Sequence, residues 1–300
     1  MRLPAAIRMG LLTGAAAVLV TAGACVDIVG ADLPRYVERQ EKQFTVDGKP
    51  AVSLSTFDGS IEIRAWDRSE VQVVVEKRAT DKESANTIEV QTEQNADHIV
   101  VDVKIPRSDG FGFHFHRSAK LIVSMPAASD VLAKSGDGSI DVEGITGQVD
   151  LRSGDGSIHG RRLGGEIMAH TGDGSIKLDG VKGSLRVDTG DGSVTAAGTF
   201  TSVRARSGDG SIRIAAEAGS ASSGDWDITT GDGSVTVALP DGFNAEIDAH
   251  TGDGGIHMQD LSLSNMTGHV AKHTVRGRLG AGGNTVRVRT GDGSITLKRS

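Results

Sequence analysis

The chain carries a single cysteine, Cys25, in 300 residues, so no internal disulfide can hold it together. Aromatic residues make up only 3%. A core must therefore be assembled from Val, Ile, Leu and Ala in layers rather than around large rings. There is no tract of Lys or Arg, and the formal net charge is −7. Nucleic acid and anionic membrane surfaces are poor candidate partners for such a chain, so neither is expected beyond an N-terminal anchor. No window shows helical periodicity. The apolar stretch Met9 to Val20 is 12 residues long, too short to span about 30 Å of hydrocarbon.

That stretch instead reads as the centre of a targeting segment. Arg2 and Arg8 precede it, and Ala22-Gly23-Ala24 follows as a small-x-small cleavage pattern. Residues 1–24 are expected to be a signal peptide. The run Ala22-Gly23-Ala24-Cys25 resembles a bacterial lipobox, with Ala22 where Leu is more usual. It makes Cys25 the expected lipid-modified first residue of the mature chain, exported and anchored to the cell envelope. Residues 25–44 are polar and lack alternation, so they read as a tether.

What the chain has in excess is glycine, 41 residues, or about 14% against a usual share of about 7%. Much of it lies in one repeated hexapeptide. Ser135-Gly136-Asp137-Gly138-Ser139-Ile140 recurs around Gly154-Asp155-Gly156, Gly172-Asp173-Gly174, Gly190-Asp191-Gly192, Gly208-Asp209-Gly210 and Gly231-Asp232-Gly233. It returns at Thr251–Ile256, with Gly255 in place of Ser, and at Thr290–Ile295. From Asp137 to Asp209 the spacing is 18 residues four times over, and the later steps are 23, 21 and 39. A fixed period of this size means stacked units, none of which can bury its own apolar face.

Each copy is flanked by period-2 alternation. Leu185-Arg186-Val187-Asp188-Thr189 runs into the turn, and Ser175-Ile176-Lys177-Leu178 runs out of one. The pattern predicts two half-buried strands joined at a corner. Stacking puts Ile140, Ile158, Ile176, Val194, Ile212, Val235, Ile256 and Ile295 in one inner column. Val149, Ile167, Leu185, Val203, Trp226, Ile247 and Val286 fall in another. A second turn recurs at Gly144–Gly147, Leu163–Gly165 and Gly180–Gly183. The expected fold is all-β, a single-stranded β-solenoid with coils of about 18 residues, right-handed by precedent. Residues 45–130 are its irregular rungs and cap, and 131–300 its regular repeats. A string of antiparallel hairpins is the alternative, since Asp-Gly is also a hairpin signal. The corner glycines are expected to supply positive φ, which makes Gly→Val there costly.

The aspartates are the first candidates for chemistry. Carboxylates stacked about 4.8 Å apart repel by about 0.9 kcal/mol even in water. Either Ca²⁺ between neighbouring carboxylates or hydrogen bonds from the turn could offset this. The structural reading is preferred, with no cofactor assigned. Outward Arg152, Arg204, Arg206, Arg213, Arg287 and Arg289, interspersed with acids, suit a polysaccharide-cleaving β-helix. Catalysis, however, needs one asymmetric site, and these groups repeat. His114 with His116, and His250 with His257, lack further ligands at a telling spacing, and His159 and His170 read as solvated. The aromatic run Gly110–Phe115 reads as a loop packed over the first rungs.

The hexapeptide copies, Asp58-Gly59-Ser60-Ile61-Glu62-Ile63 followed by Trp66, and the step Leu239-Pro240-Asp241-Gly242-Phe243 together resemble the bacterial "putative adhesin" β-solenoid family. This is a domain of unknown function, and the likeness covers residues 45 to 300. It implies a non-catalytic envelope protein that binds a surface protein or glycan, as an adhesin or scaffold. A periplasmic envelope-stress accessory protein that binds protein or peptidoglycan is the alternative, and a polysaccharide-active enzyme a further one. Self-association through a bare C-terminal rung, Ser294 to Lys298, is also expected to be open to the chain.

Overall fold

The computed structural model describes residues 20–21, 36–105, 117–268 and 273–300. The signal segment apart from Val20–Thr21, Cys25 with its lipid anchor, and the Gly110–Phe115 run with His114 and His116 lie outside the described residues. Val20–Thr21 pairs antiparallel with Lys42 and Glu41, and cleavage after Ala24 would release it.

Among the described residues every strand belongs to one sheet, and the only helix is Lys82–Asn86. That helix is a departure from the all-strand expectation. It is capped by Asp81, whose carboxylate accepts the Ser84 N–H at 2.7 Å.

Two ladders of parallel strands run through the molecule. In the ladder that precedes each corner, Val131 pairs with Val149, and the column continues through Ile167, Leu185 and Val203. In the ladder that follows it, Ile61, Ile140, Ile158, Ile176, Val194, Ile212 and Val235 lie in register. Parallel pairing rules out a string of hairpins. These inward columns are almost wholly buried, from Leu54 and Ile61 to Val288 and Ile295. Where the spacing widens beyond Asp209, Trp226 takes a column position filled elsewhere by Val, Ile or Leu. It packs edge-on against Phe200 at 6.1 Å and Phe243 at 5.2 Å.

The ends of the stack do not follow chain order. Val235 pairs with Ile295, and Ile295 in turn pairs with Ile256. Likewise Trp226 pairs with Val286, and Val286 with Ile247. The last segment of the chain is thus wedged between two earlier rungs. At the other end Val52 lies between Ile99 and Val131, and Ile61 between Leu121 and Ile140. This corrects the expected column order. It also corrects the bare C-terminal rung, because Ile295–Arg299 has a strand on each side.

Antiparallel strands flank the stack, except that Ile256–Gln259 pairs only with Ile295–Arg299 among the described residues. Thr274–Leu279 covers Ala245–Thr251, and Ser264–Gly268 covers Thr274–Leu279. At the first end Glu89–Asn95 covers His98–Lys104. Glu70–Ala79 pairs with Ser118–Pro126 and carries Tyr36–Thr45 outside it. The tether expected over 25–44 is therefore corrected from Tyr36 onward. That strand is half-buried along nearly its whole length, so it shows no in–out alternation to read.

Candidate functional site

The corner between the two ladders is built by backbone contact. Gly190 N donates to Gly172 O at 2.5 Å, and Gly208 N to Gly190 O at 2.5 Å, so the parallel ladder continues through the turn. A Cβ on Gly174 would stand 2.3 Å from Gly156 O, and one on Gly192 would stand 2.1 Å from Gly174 O. The same crowding holds at Gly136, Gly138, Gly154, Gly156, Gly172, Gly190, Gly208, Gly210, Gly231 and Gly233, each facing backbone of the adjacent turn. None of these glycines has positive φ. The expected reason for glycine is thus corrected: it is close stacking of turns, not a left-handed backbone. Left-handed glycines occur at the second turn instead, as at Gly165 (φ +100°) and Gly183 (φ +131°).

The residue before each corner does the side-chain hydrogen bonding. Ser153 Oγ donates to Gly138 O at 2.9 Å, Thr171 Oγ1 to Gly156 O at 2.8 Å, and Thr189 Oγ1 to Gly174 O at 2.9 Å. Ser207, Thr230 and Thr290 repeat the contact on Gly192, Gly210 and Gly233. Three of these hydroxyls also accept from their own turn, as Ser153 Oγ does from Gly156 N–H at 3.1 Å. The column is buried, with Thr171 at 0% exposure. Its signal was the invariable Ser or Thr before Gly-Asp-Gly, which alternation alone does not explain.

A stability test follows. Thr189→Val keeps the volume but leaves the Gly172 and Gly174 carbonyls without their hydroxyl donor. It should cost about 1–2 kcal/mol. Thr189→Ser, the residue three other regular rungs carry, should cost less. Thermal melts of the two variants decide this, and a Val variant as stable as the Ser variant would remove the hydroxyl column from the account.

The corner aspartates Asp137, Asp155, Asp173, Asp191, Asp209 and Asp232 are all exposed. Among the described residues none accepts a hydrogen bond from its turn, contrary to that expectation, and solvent is left to offset their mutual repulsion. No three His, Cys, Asp or Glu side chains among the described residues converge to hold a metal ion.

Two outer faces remain. On the ladder after the corner, a groove runs over Glu62, Asp141, Glu143, His159, Arg161 and Lys177. Three of its four acids are paired: Glu62 with Lys120 at 2.5 Å, Asp141 with His159 Nδ1 at 3.2 Å, and Glu143 with Arg161 at 3.1 Å and Arg162 at 2.5 Å. The fourth, Asp179, is exposed and has no ion pair among the described residues. Hydrogen bonds from Arg161 and then Arg162 hold the Glu143 carboxyl below the usual carboxylate range. A general acid working near neutral pH needs the opposite shift. On the ladder before the corner lie Arg152, Arg204, Arg206, Arg287 and Arg289, while Arg213 stands on the groove face. His159 and His170 are exposed beside Asp141 and Asp188. His250 Nδ1 lies 3.0 Å from Thr274 Oγ1, and His257 is exposed on a neighbouring strand.

The Toastrack DUF4097 family matches residues 51–298, nearly all of the stack described above. The chain belongs to that family. No curated protein matches it. Among solved structures, this Toastrack chain is similar to a "putative adhesin" from Bacteroides fragilis NCTC 9343. Identity is 12%, coverage is 88% of this chain and 97% of that one, and the TM-score is 0.42. A "putative adhesin" from Parabacteroides distasonis ATCC 8503 shares 14% identity, with 87% and 97% covered and a TM-score of 0.35. A "putative lipid binding protein" from the same organism shares 14%, with 87% and 96% covered and a TM-score of 0.34. At such scores these likenesses carry nothing about what the Toastrack chain binds. Among the described residues no helix is long and apolar enough to cross a membrane.

Proposed function

We propose that this protein is a non-catalytic module of the bacterial cell envelope, a right-handed β-solenoid that presents flat strand faces to partners in adhesion or scaffolding. It is exported by residues 1–24 and held by a lipid on Cys25. The observation that carries the non-catalytic reading is the uniformity of the corner. The same exposed carboxylate recurs rung after rung, stacked by glycine backbone, whereas catalysis needs one place that differs from the rest. Right-handed winding follows the general rule for parallel crossovers.

The test is protease treatment of intact cells, together with attachment of a deletion strain. The expected outcome is a chain cleaved from the outside and a strain that attaches poorly. A chain protected until the outer membrane is opened would replace adhesion with a periplasmic accessory role. Cleavage of any member of an acidic glycan panel would overturn the non-catalytic reading.

A further inference from the structure

The outer face of the ladder before the corner carries a row that runs along the stack. In register it reads Met168, Arg186, Arg204, Asp227, Arg287, Asp248 and Arg276. The acids of this row are already engaged. Asp227 pairs with Arg206 at 3.5 Å, and Asp248 pairs with Arg289 at 3.0 Å and Arg276 at 3.1 Å. Arg186, Arg204 and Arg287 are left with no ion pair among the described residues. Arg186 and Arg204 are also exposed and directly opposite each other on neighbouring strands. Like charges placed so are destabilising unless something neutralises them. In a chain of net charge −7, a local cationic surplus is a feature to be explained.

We infer that this row is the docking surface for an acidic polysaccharide, a linear polymer with carboxylates along its length. The inference rests on the reading of the protein as an envelope binding module and names the class of partner. The geometry favours a linear polyanion over a single ion, because the free guanidinium groups are spread over about 14 Å at strand spacing. Each guanidinium offers a planar fork of donors that suits a carboxylate. The exposed Asp191 and Asp209 lie in the corner turns, five residues beyond Arg186 and Arg204 and past the strand ends at Thr189 and Ser207. They favour the Arg186–Arg204 row over the row nearer the corner, which carries Arg206.

The experiment measures binding of the full chain to polygalacturonate by calorimetry at low and high salt. Neutral dextran, phosphatidylglycerol vesicles and duplex DNA are run alongside. Binding to polygalacturonate is expected, weakened by salt, with none to dextran. Arg186→Gln with Arg204→Gln should weaken it about tenfold. Lys177→Gln with Arg213→Gln, on the other strand face, should leave it unchanged. The exposed positions of all four residues leave the fold intact, which melting curves verify. The proposal falls if the arginine variant binds as wild type does, if polygalacturonate does not bind at low salt, or if vesicles or DNA bind more tightly. Returning the arginine variant to the deletion strain separates the two levels of inference. Full rescue of attachment would discard the arginine row and leave the adhesion reading standing.

Discussion

Gly192→Ala is expected to cost about 3 kcal/mol or more and to lower the melting temperature by roughly 10 °C. One methyl group would usually be a small change. Here its carbon would stand 2.1 Å from Gly174 O and 2.5 Å from Gly174 C. Both are backbone atoms, so no side chain can rotate away to make room. Gly192 is itself the floor for the next turn, since a Cβ on Gly210 would stand 2.1 Å from Gly192 O. Prising two turns apart at Gly192 therefore disturbs the hydrogen bond of Gly190 N to Gly172 O and the hydroxyl bond from Thr189. Gly224→Ala is the matched control. Its nearest neighbour, Ser202 Cβ, would lie at 3.8 Å, an ordinary contact, and Gly224 does not have positive φ. That variant should match wild type or gain about 0.4–1 kcal/mol through the unfolded chain. Equal melting curves for the two alanine variants would show that corner stacking does not hold the repeats together.

Deleting residues 285–300 is expected to do more than shorten the stack. The deleted strands bury Val286, Val288, Ile295 and Leu297 at 0–1% exposure, roughly 8 kcal/mol of apolar burial at about 2 kcal/mol each. Ordering those residues costs much of that back, so net stability is the less telling readout. The location of the loss is the sharper one. Ala245–Thr251 and Ile256–Gln259 reach the body of the molecule only through the wedged strands. Hydrogen exchange should show protection lost over 245–259 and 274–279 and kept over 140–203. In a stack built in chain order, these residues would keep their partners. If the truncated chain keeps that protection, Ala245–Gln259 has dropped into the vacated place and the wedge is dispensable.

The repeat was legible because one chemical rule governs it. Glycine at two fixed places, an apolar residue on either side and a constant step force neighbouring turns into register. Ile140, Ile158 and Ile176 could be assigned to one column from spacing alone. The order of the end rungs was not legible, for the same reason. Ile256 and Ile295 present the same face to a neighbour, so alternation cannot tell which lies nearer Val235. The one clue was the 39-residue step from Asp253 to Asp292, long enough for an antiparallel excursion and a return. Tyr36–Thr45 hid because a strand near the edge of the sheet is half-covered on both faces. Arg204 and Arg287 of the arginine row were visible as outward positions, but the surplus was not. Knowing which arginines keep a carboxylate partner requires the side chains of Asp227 and Asp248 in place.

The wedged rungs also fix where the molecule can change size. At the first end both ladders finish in antiparallel strands, and at the other end the ladder before the corner does so, while Ile256–Gln259 pairs on one side only among the described residues. The middle has no such lock. From Ile140 to Ile212 each turn rests only on the turns before and after it. An 18-residue block spliced in there would lengthen the protein by one strand spacing, about 4.8 Å, and leave both ends untouched. The architecture is a ruler with fixed end-pieces and an adjustable shaft, graduated in single turns.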